Sequence, residues 1–297
     1  MDKFILPPEW AEQSAIQLTW PHAATDWREY IDDICAVYID MADAITRHER
    51  LLVVTPEPEN VKTQLETRLT DWQLANVTLH RCPTNDTWAR DHGFITLTGG
   101  KAKRLLDFRF NGWGDKFPSD LDNAINRSLY INKVVNGEYI DHNDFVLEGG
   151  SIESDGHGTI LTTSQCLLAP NRNQPLTRQE IEQRLKDYLG AERILWLDHG
   201  HLDGDDTDSH IDTLVRTAPD DTLLYVRCAD EQDSHYADLH LMEEQLKTLR
   251  TTDGRPYRLL PLPMPRPIYD GEDRLPATYA NFVIINGAVI YPTYAQP

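Results

Sequence analysis

The chain has 297 residues, and its hydrophobic content of 40% is enough to build a sizeable core. With 28 basic against 48 acidic residues, the formal net charge is −20, which would repel a phosphate backbone, so we expect no nucleic-acid partner and favour a small cationic ligand. No stretch approaches the ~18 apolar residues of a membrane span and no signal peptide is recognisable, which predicts a cytoplasmic protein without a membrane partner.

Strand-like and helical runs alternate along the chain, and this alternation predicts an α/β fold. The strand "AIQLTW" precedes the amphipathic helix "WREYIDDICAVYIDMADAI", and the strand "RLLVVTP" precedes a helical pattern over residues 61–74. Further along come the strands "ERILWL" and "TLLYVRC", the helix "SHYADLHLMEEQLKTL", and two paired strands, "YANFVIIN" and "AVIYPTY", around an Asn-Gly turn. Because no low-complexity linker divides these elements, we predict a single domain over residues 1–297.

Three segments share one form, in which an acidic cluster at a strand end is followed by another apolar strand. These segments contain Asp91, Glu148 and His210, which recur at gaps of 57 and 62 residues. Such spacing is typical of a propeller-like repeat. If each repeat delivers its acidic loop to one end of a pseudo-symmetric ring, the three loops converge on a single site.

The first of these segments is "NDTWARDHG", residues 85–93. Its simplest interpretation is a turn with an exposed Arg90–Asp91 ion pair, which contributes little to stability. The alternative is a site for a planar cation, because the Trp88 indole offers a cation–π contact and carboxylates accept the forked hydrogen bonds of a guanidinium.

In the second segment, "FVLEGGSIE", Glu148 ends an apolar strand and is followed by Gly149 and Gly150. The segment is either a boundary between a strand and a turn with a solvated Glu148, or a site where paired glycines let the backbone approach a ligand. The nearby run "CLLAPNRN" is predicted to be a turn before a helix, without a chemical role.

The third segment, "HGHLDGDDTDSHID", allows three interpretations. It could be a solvated acidic loop, or a metal site built from His199, His201, Asp203 and His210. The metal signature H-x-H-x-D-H is incomplete, however, since position 204 is Gly, and the spacing does not fit an EF-hand. In the third interpretation His210 and Asp212 lie two residues apart on a strand and therefore address one ligand together.

Four ordered segments resemble the agmatine deiminase and bacterial peptidylarginine deiminase family: "NDTWARDHG", "LEGGSIESDGHGTILTTSQCLLAPNRN", "DDTDSHIDTLVR" and "LPATYANFVIINGAVIYPTY". The resemblance runs from "PPEWAEQSAIQLTWP" to the last residue. It implies an α/β five-bladed β/α-propeller, the pentein fold, with pseudo-fivefold ββαβ repeats of which the last is incomplete. It also implies that a guanidinium is hydrolysed to a ureido group with release of ammonia, without a metal or other cofactor.

The resemblance further implies a role for each candidate residue. Asp91 and Asp212 are expected to grip the two edges of the guanidinium, and Trp88 to cover its flat face. His210 is expected to protonate the departing ammonia and then to deprotonate the attacking water. Glu148 is expected to hydrogen-bond His210 and to favour its charged form.

Within this family the acidic composition favours agmatine as the substrate, giving N-carbamoylputrescine on the way to putrescine. Peptidylarginine is the alternative, because the entry segment "WPHAATDWREYI" is shorter than that of many agmatine deiminases. A zinc-dependent hydrolase using His199, His201 and Asp203 is the third possibility.

The cysteine nucleophile of the family lies in a "G-G-I-H-C" type motif, several tens of residues after a "PTY" segment. No cysteine follows Cys228 in this sequence. We therefore predict a truncated form without its nucleophile, which binds guanidinium weakly and does not hydrolyse it. The four cysteines are widely spaced and predict buried, reduced thiols: Cys35, Cys82, Cys166 and Cys228.

Overall fold

The structure, a computed structural model, describes residues 3–296 and contains sixteen strands and ten α-helices in that range. The strands are β1 (Ala15–Thr19), β2 (Arg50–Thr55), β3 (Val77–Arg81), β4 (Ile95–Gly99), β5 (Ala102–Arg109), β6 (Glu138–Val146), β7 (Ile152–Ser154), β8 (Thr159–Thr163), β9 (Arg193–Leu197), β10 (Val215–Ala218), β11 (Thr222–Arg227), β12 (Arg258–Pro263), β13 (Tyr269–Asp270), β14 (Asp273–Arg274), β15 (Val283–Ile285) and β16 (Ala288–Ile290). The helices are α1 (Ile31–Thr46), α2 (Pro58–Glu66), α3 (Asp71–Leu74), α4 (Ala89–His92), α5 (Gly112–Asp115), α6 (Asp120–Asn123), α7 (Ile125–Ile131), α8 (Ser164–Leu167), α9 (Arg178–Leu189) and α10 (Tyr236–Thr248).

The predicted helices and strands are present, with differences at their ends that have local causes. The helical pattern over 61–74 is divided between α2 and α3, because Thr70 caps α3 in a capping box with Gln73 and so starts a new helix. The segment before α1 is a 3-10 helix, Asp26–Tyr30. The Asn-Gly turn joins β15 and β16 as an antiparallel pair, as predicted.

The strands form four three-stranded sheets and two hairpins among the described residues. The first sheet, β1-β2-β3, is parallel throughout. In each of the other three sheets an antiparallel pair is followed by a helical segment and a third, parallel strand: β4-β5-β6, β7-β8-β9 and β10-β11-β12. The fold is therefore mixed α/β, and a ββαβ unit occurs three times in succession.

The sheets bury apolar side chains against the helices that connect their strands. α9 contributes Ile181, Leu185 and Leu189 to the core over the β7-β8-β9 sheet, and α10 covers the next sheet in the same way with Leu239 and Met242. The spacing of three to four residues between these positions places them on one face of each helix, so helix packing follows from the sequence pattern. No helix among the described residues has the length and apolar character needed to cross a membrane.

The connections between successive sheets carry the three acidic segments. β3 leads through α4 to β4, β6 leads through a 3-10 helix (Gly149–Ser151) to β7, and β9 leads through a second one (Ile211–Thr213) to β10. Each candidate residue thus lies at an equivalent point of the chain, between the third strand of one sheet and the first strand of the next.

Candidate active site

The three acidic segments come together around Gly150. A Cβ atom added to Gly150 would lie 2.6 Å from Nδ1 of His210, 2.7 Å from Oδ1 of Asp91 and 2.9 Å from Oδ2 of Asp212. Any side chain at this position would therefore displace the groups of the site, and glycine is required by close approach rather than by its dihedral angles. The convergence agrees with the prediction from the repeat spacing.

The paired glycines serve two different contacts. A Cβ atom on Gly149 would meet the backbone oxygen of Arg90 at 2.1 Å, so this glycine allows two loop backbones to pass closely. The prediction that His210 and Asp212 lie on a strand is wrong: His210 is the N-cap of the 3-10 helix Ile211–Thr213, and Asp212 lies within that helix. Ile211 between them is fully buried in the apolar core, and this anchor turns both polar neighbours to the site.

Asp91 is a buried carboxyl group with few compensating contacts. Its Oδ2 accepts a hydrogen bond from the Trp113 indole at 3.1 Å, and its Oδ1 accepts one from the Gly150 amide at 3.1 Å. Burial, followed by the negative charges of Asp212 and Glu148, raises the pKa of Asp91 to about 8. The ligand-free site therefore holds Asp91 largely protonated at neutral pH.

Asp212 is also buried, and its Oδ1 has no hydrogen-bond partner among residues 3–296. Burial raises the pKa of Asp212 to about 7, although the Arg216 and Arg90 cations oppose the rise. A buried carboxylate oxygen without a donor costs free energy, and a cationic ligand with hydrogen-bond donors would remove that cost.

His210 is neutral in this environment. Its Nδ1 lies 3.5 Å from Oδ1 of Asp91, and its Nε2 has no hydrogen-bond partner in the described part of the chain. Burial, together with the Arg172 and Lys116 cations, lowers the pKa of His210 well below its usual value. An unprotonated imidazole at this position can accept a proton.

The predicted hydrogen bond between Glu148 and His210 is not formed. Glu148 is fully buried and instead accepts hydrogen bonds from Nε of Arg172, at 3.0 and 3.3 Å from its two oxygens. A buried carboxylate is compensated better by a permanent guanidinium cation than by a neutral imidazole, which explains the difference. Potential ligand atoms of Glu148, Cys166 and His210 nevertheless lie within 4.8 Å of one another.

The acidic loop over residues 205–212 uses its carboxylates for different purposes. Asp205 accepts hydrogen bonds from the backbone amides of Thr207 at 3.0 Å and Ser209 at 2.7 Å, and so shapes the loop. Asp208 pairs with Arg172 at 2.6 Å and with Lys116 at 2.8 Å. Of the loop carboxylates, Asp212 is the one that reaches the groups around Gly150.

Trp88 lies at the edge of the site and is 39% exposed. Its ring is next to those of Trp113, at a centroid distance of 5.3 Å, and Trp27, at 6.1 Å. A planar cation held by Asp91 could therefore meet an aromatic surface. The sequence interpretation missed Trp113, which reaches Asp91 from α5 through a backbone with a φ of 56°.

The zinc interpretation of His199, His201, Asp203 and His210 is wrong. His199 is half-buried and lies 3.5 Å from Asp238, and His201 is exposed and lies 3.8 Å from Asp203, whereas His210 is buried beside Gly150. Within residues 3–296, the single set of three side chains close enough to hold a metal ion is Glu148, Cys166 and His210.

All four cysteines are buried and free. Burial raises the pKa of each thiol, and Cys166, which is fully buried near Glu148, has a pKa well above the usual value. A thiol with a raised pKa supplies little thiolate at neutral pH.

The sequence profile of the family described as Porphyromonas-type peptidyl-arginine deiminase matches residues 5–297. An agmatine deiminase of Pseudomonas putida is 33% identical over 321 residues, covering 100% of this chain and 85% of its own length.

Two solved structures are similar throughout the chain. An agmatine deiminase of C. jejuni with substrate bound has a TM-score of 0.89 and 41% identity, covering 98% of this chain and 83% of its own. A structure from Porphyromonas gingivalis, named provisionally as an arginine deiminase, has a TM-score of 0.93 and 50% identity, covering 99% of this chain and 86% of its own.

Proposed function

The chain belongs to the Porphyromonas-type peptidyl-arginine deiminase family, and we propose that it is an agmatine deiminase. The reaction is hydrolysis of the guanidinium of agmatine, which gives N-carbamoylputrescine and ammonia. Within the molecule, the observation that supports this assignment is the pair Asp91 and Asp212, two buried carboxyl groups with raised pKa values that both lie beside Gly150.

A guanidinium is a permanent planar cation with five donors, and it matches what these carboxyl groups lack. On binding, Asp91 and Asp212 lose their protons and accept its N–H groups, so the cation relieves the cost of their burial. Trp88 lies beside the flat face. Removing one partner of a buried ion pair costs roughly 3–5 kcal/mol, so we expect both aspartates to be essential for binding the guanidinium.

His210 moves protons in this mechanism. Because it is neutral in the free protein, it can take the proton of the attacking thiol, so that a thiolate bonds to the guanidinium carbon, and it then donates that proton to the ammonia that leaves as the carbon–nitrogen bond breaks. It then takes a proton from the water that releases the ureido product. Glu148 acts on His210 from within 4.8 Å rather than through a direct hydrogen bond in the free protein.

The family resemblance implies attack by a cysteine thiolate, and we propose that none of the four cysteines of these 297 residues supplies it, so every turnover measurement uses the full-length protein. Cys166 is nearest to His210, but it is fully buried and its pKa is well above the usual value. A haloacetamidine inactivator followed by mass spectrometry tests this. Labelling of Cys166 would identify it as the nucleophile and overturn the proposal.

Peptidylarginine is the second candidate substrate. The name of the matching family and the 39% exposure of Trp88 at the edge of the site favour it. Ureido formation from agmatine, free arginine and an arginine peptide, measured side by side, separates the two. We expect the highest kcat/KM for agmatine, and a higher value for the peptide would assign the chain to peptidylarginine.

We further propose that the chain forms one domain of the five-bladed β/α-propeller type. The three successive ββαβ units, the parallel β1-β2-β3 sheet and the β15–β16 hairpin support five blades, with the inter-sheet connections at one central site. A crystal structure in which these five units do not surround Gly150 would reject the proposal.

We also propose that no metal is needed, so a chelator should leave ureido formation unchanged.

A further inference from the structure

Arg172 lies in the turn after α8, within the run "CLLAPNRN" that the sequence predicts to have no chemical role. Its side chain is 0% exposed. Burying a guanidinium costs free energy unless the group is paired and hydrogen-bonded, so the partners of Arg172 indicate its role.

The Arg172 guanidinium joins two connections of the active site. Its Nε donates to both oxygens of Glu148, at 3.0 and 3.3 Å. Its Nη1 donates to Oδ2 of Asp208 at 2.6 Å, and its Nη2 donates to the backbone oxygen of Thr207 at 2.8 Å. One rigid planar group therefore holds the connection after β6 to the loop that precedes His210.

We propose that Arg172 is a positioning residue for the reaction, and that its guanidinium fixes both the place and the protonation of His210 by holding Glu148 and the 207–208 backbone together. The proposal rests on the proposed function for its catalytic readout. The amide of His210 donates to the side-chain Oγ1 of Thr207 at 3.0 Å, so the residue whose backbone oxygen accepts from Arg172 is also hydrogen-bonded to the histidine.

The backbone conformation of residues 208–209 requires stabilising contacts such as those of Arg172. Asp208 and Ser209 have φ values of 64° and 66°, in the left-handed region that residues other than glycine rarely adopt. Such a conformation persists only where the surroundings determine it. The Arg172–Asp208 ion pair and the hydrogen bond from Arg172 to Thr207 stabilise this conformation directly before His210, together with the amide hydrogen bonds to Asp205.

Arg172 also controls the charge around the imidazole. The charged and titratable groups around His210 are Asp91, Asp212, Glu148, Cys166, Arg172 and Lys116. Arg172 repels a protonated His210 and also occupies the Glu148 carboxylate that could otherwise bind it. Removing the guanidinium frees Glu148 to hydrogen-bond the imidazole, which would favour the charged form of His210.

The test compares Arg172→Met and Arg172→Lys with the unchanged protein. NMR titration of labelled histidine in the ligand-free protein should show a higher pKa for His210 in the Met variant. Lysine keeps the positive charge but cannot bond to Glu148, Asp208 and Thr207 at the same time, so the pKa of His210 should stay low in the Lys variant. Ureido formation from agmatine should show a fall in kcat of about 10²-fold for Met, the lower end of what a positioned histidine contributes, with a smaller change in KM.

Arg178→Met is the matched control, because Arg178 is an exposed arginine paired with Asp198 at 3.1 Å, and this change should leave both readouts unaltered. If the Arg172→Met variant does not fold, Arg172→Lys and Asp208→Asn test the proposal instead, and an unchanged kcat in both variants would overturn it.

Loss of activity in Arg172→Met with an unaltered His210 titration would also overturn the proposal, since the role of Arg172 would then be structural alone. Absence of product with the unchanged protein would refute the proposed function, while the titration would still test Arg172.

Discussion

Agmatine binding should become stronger as the pH rises from 6 to 9. Asp91 and Asp212 have pKa values of about 8 and about 7 in the free protein, because burial disfavours the ionised form of both carboxyl groups. A guanidinium held between them favours the ionised form of both groups. Binding must therefore release protons, and higher pH makes that release easier.

The size of this pH effect on agmatine affinity follows from the fraction of each carboxyl group that is ionised before binding. At pH 7 that fraction is about one tenth for Asp91 and about one half for Asp212, treating the two as independent. Apparent affinity falls with the population of the competent state, so binding at pH 7 should be about 20-fold weaker than with both groups ionised. About 1.4 protons should leave for each agmatine bound.

Isothermal titration calorimetry in buffers of different ionisation enthalpy measures this proton release directly. Asp91→Asn should reduce the release at pH 7 to about half a proton, because Asp212 alone then titrates. Asp107→Asn is the control, since Asp107 is a buried aspartate with a raised pKa whose donors are Tyr139 and Asn126. An agmatine affinity that stays constant from pH 6 to 9, without proton release, would refute the carboxylate assignment.

Three further predictions concern stability, catalysis and the thiols. Asp91→Asn should raise the thermal stability of the ligand-free protein at pH 9. The pKa of about 8 in the folded state lies above the unfolded value, so the stabilisation by Asp91 is present at low pH and is lost as the pH rises through 8. Thermal unfolding of both proteins at pH 5 and pH 9 measures this difference. His210→Ala should lower kcat by about 10²–10⁴-fold with a smaller effect on KM, and steady-state kinetics showing only a raised KM would contradict its proton-transfer role. Haloacetamidine labelling mapped by mass spectrometry should modify none of the four buried cysteines, in contrast to denatured protein, where all four should react.

The sequence by itself determined the elements and most of the candidate site. Alternating runs predicted the α/β fold because strands and helices each bury one periodic face, and that periodicity is local. The recurrence of Asp91, Glu148 and His210 at similar gaps predicted that their loops converge. The groups Asp91 and His210 do lie together beside Gly150, each on a connection between successive sheets, so the regular spacing contained that information.

The tertiary structure decided which side chains pair with which. Arg172 lies 24 residues from Glu148 and 36 from Asp208, and no local pattern in "CLLAPNRN" reveals that one guanidinium reaches both. The available signal was its position inside a segment that resembles the family. Likewise, the choice between a metal site and a cation site depended on the surroundings of His210, which is buried beside Asp91 rather than exposed next to His201. Burial and hydrogen-bond partners, which set the protonation of these groups, arise only when distant segments pack together.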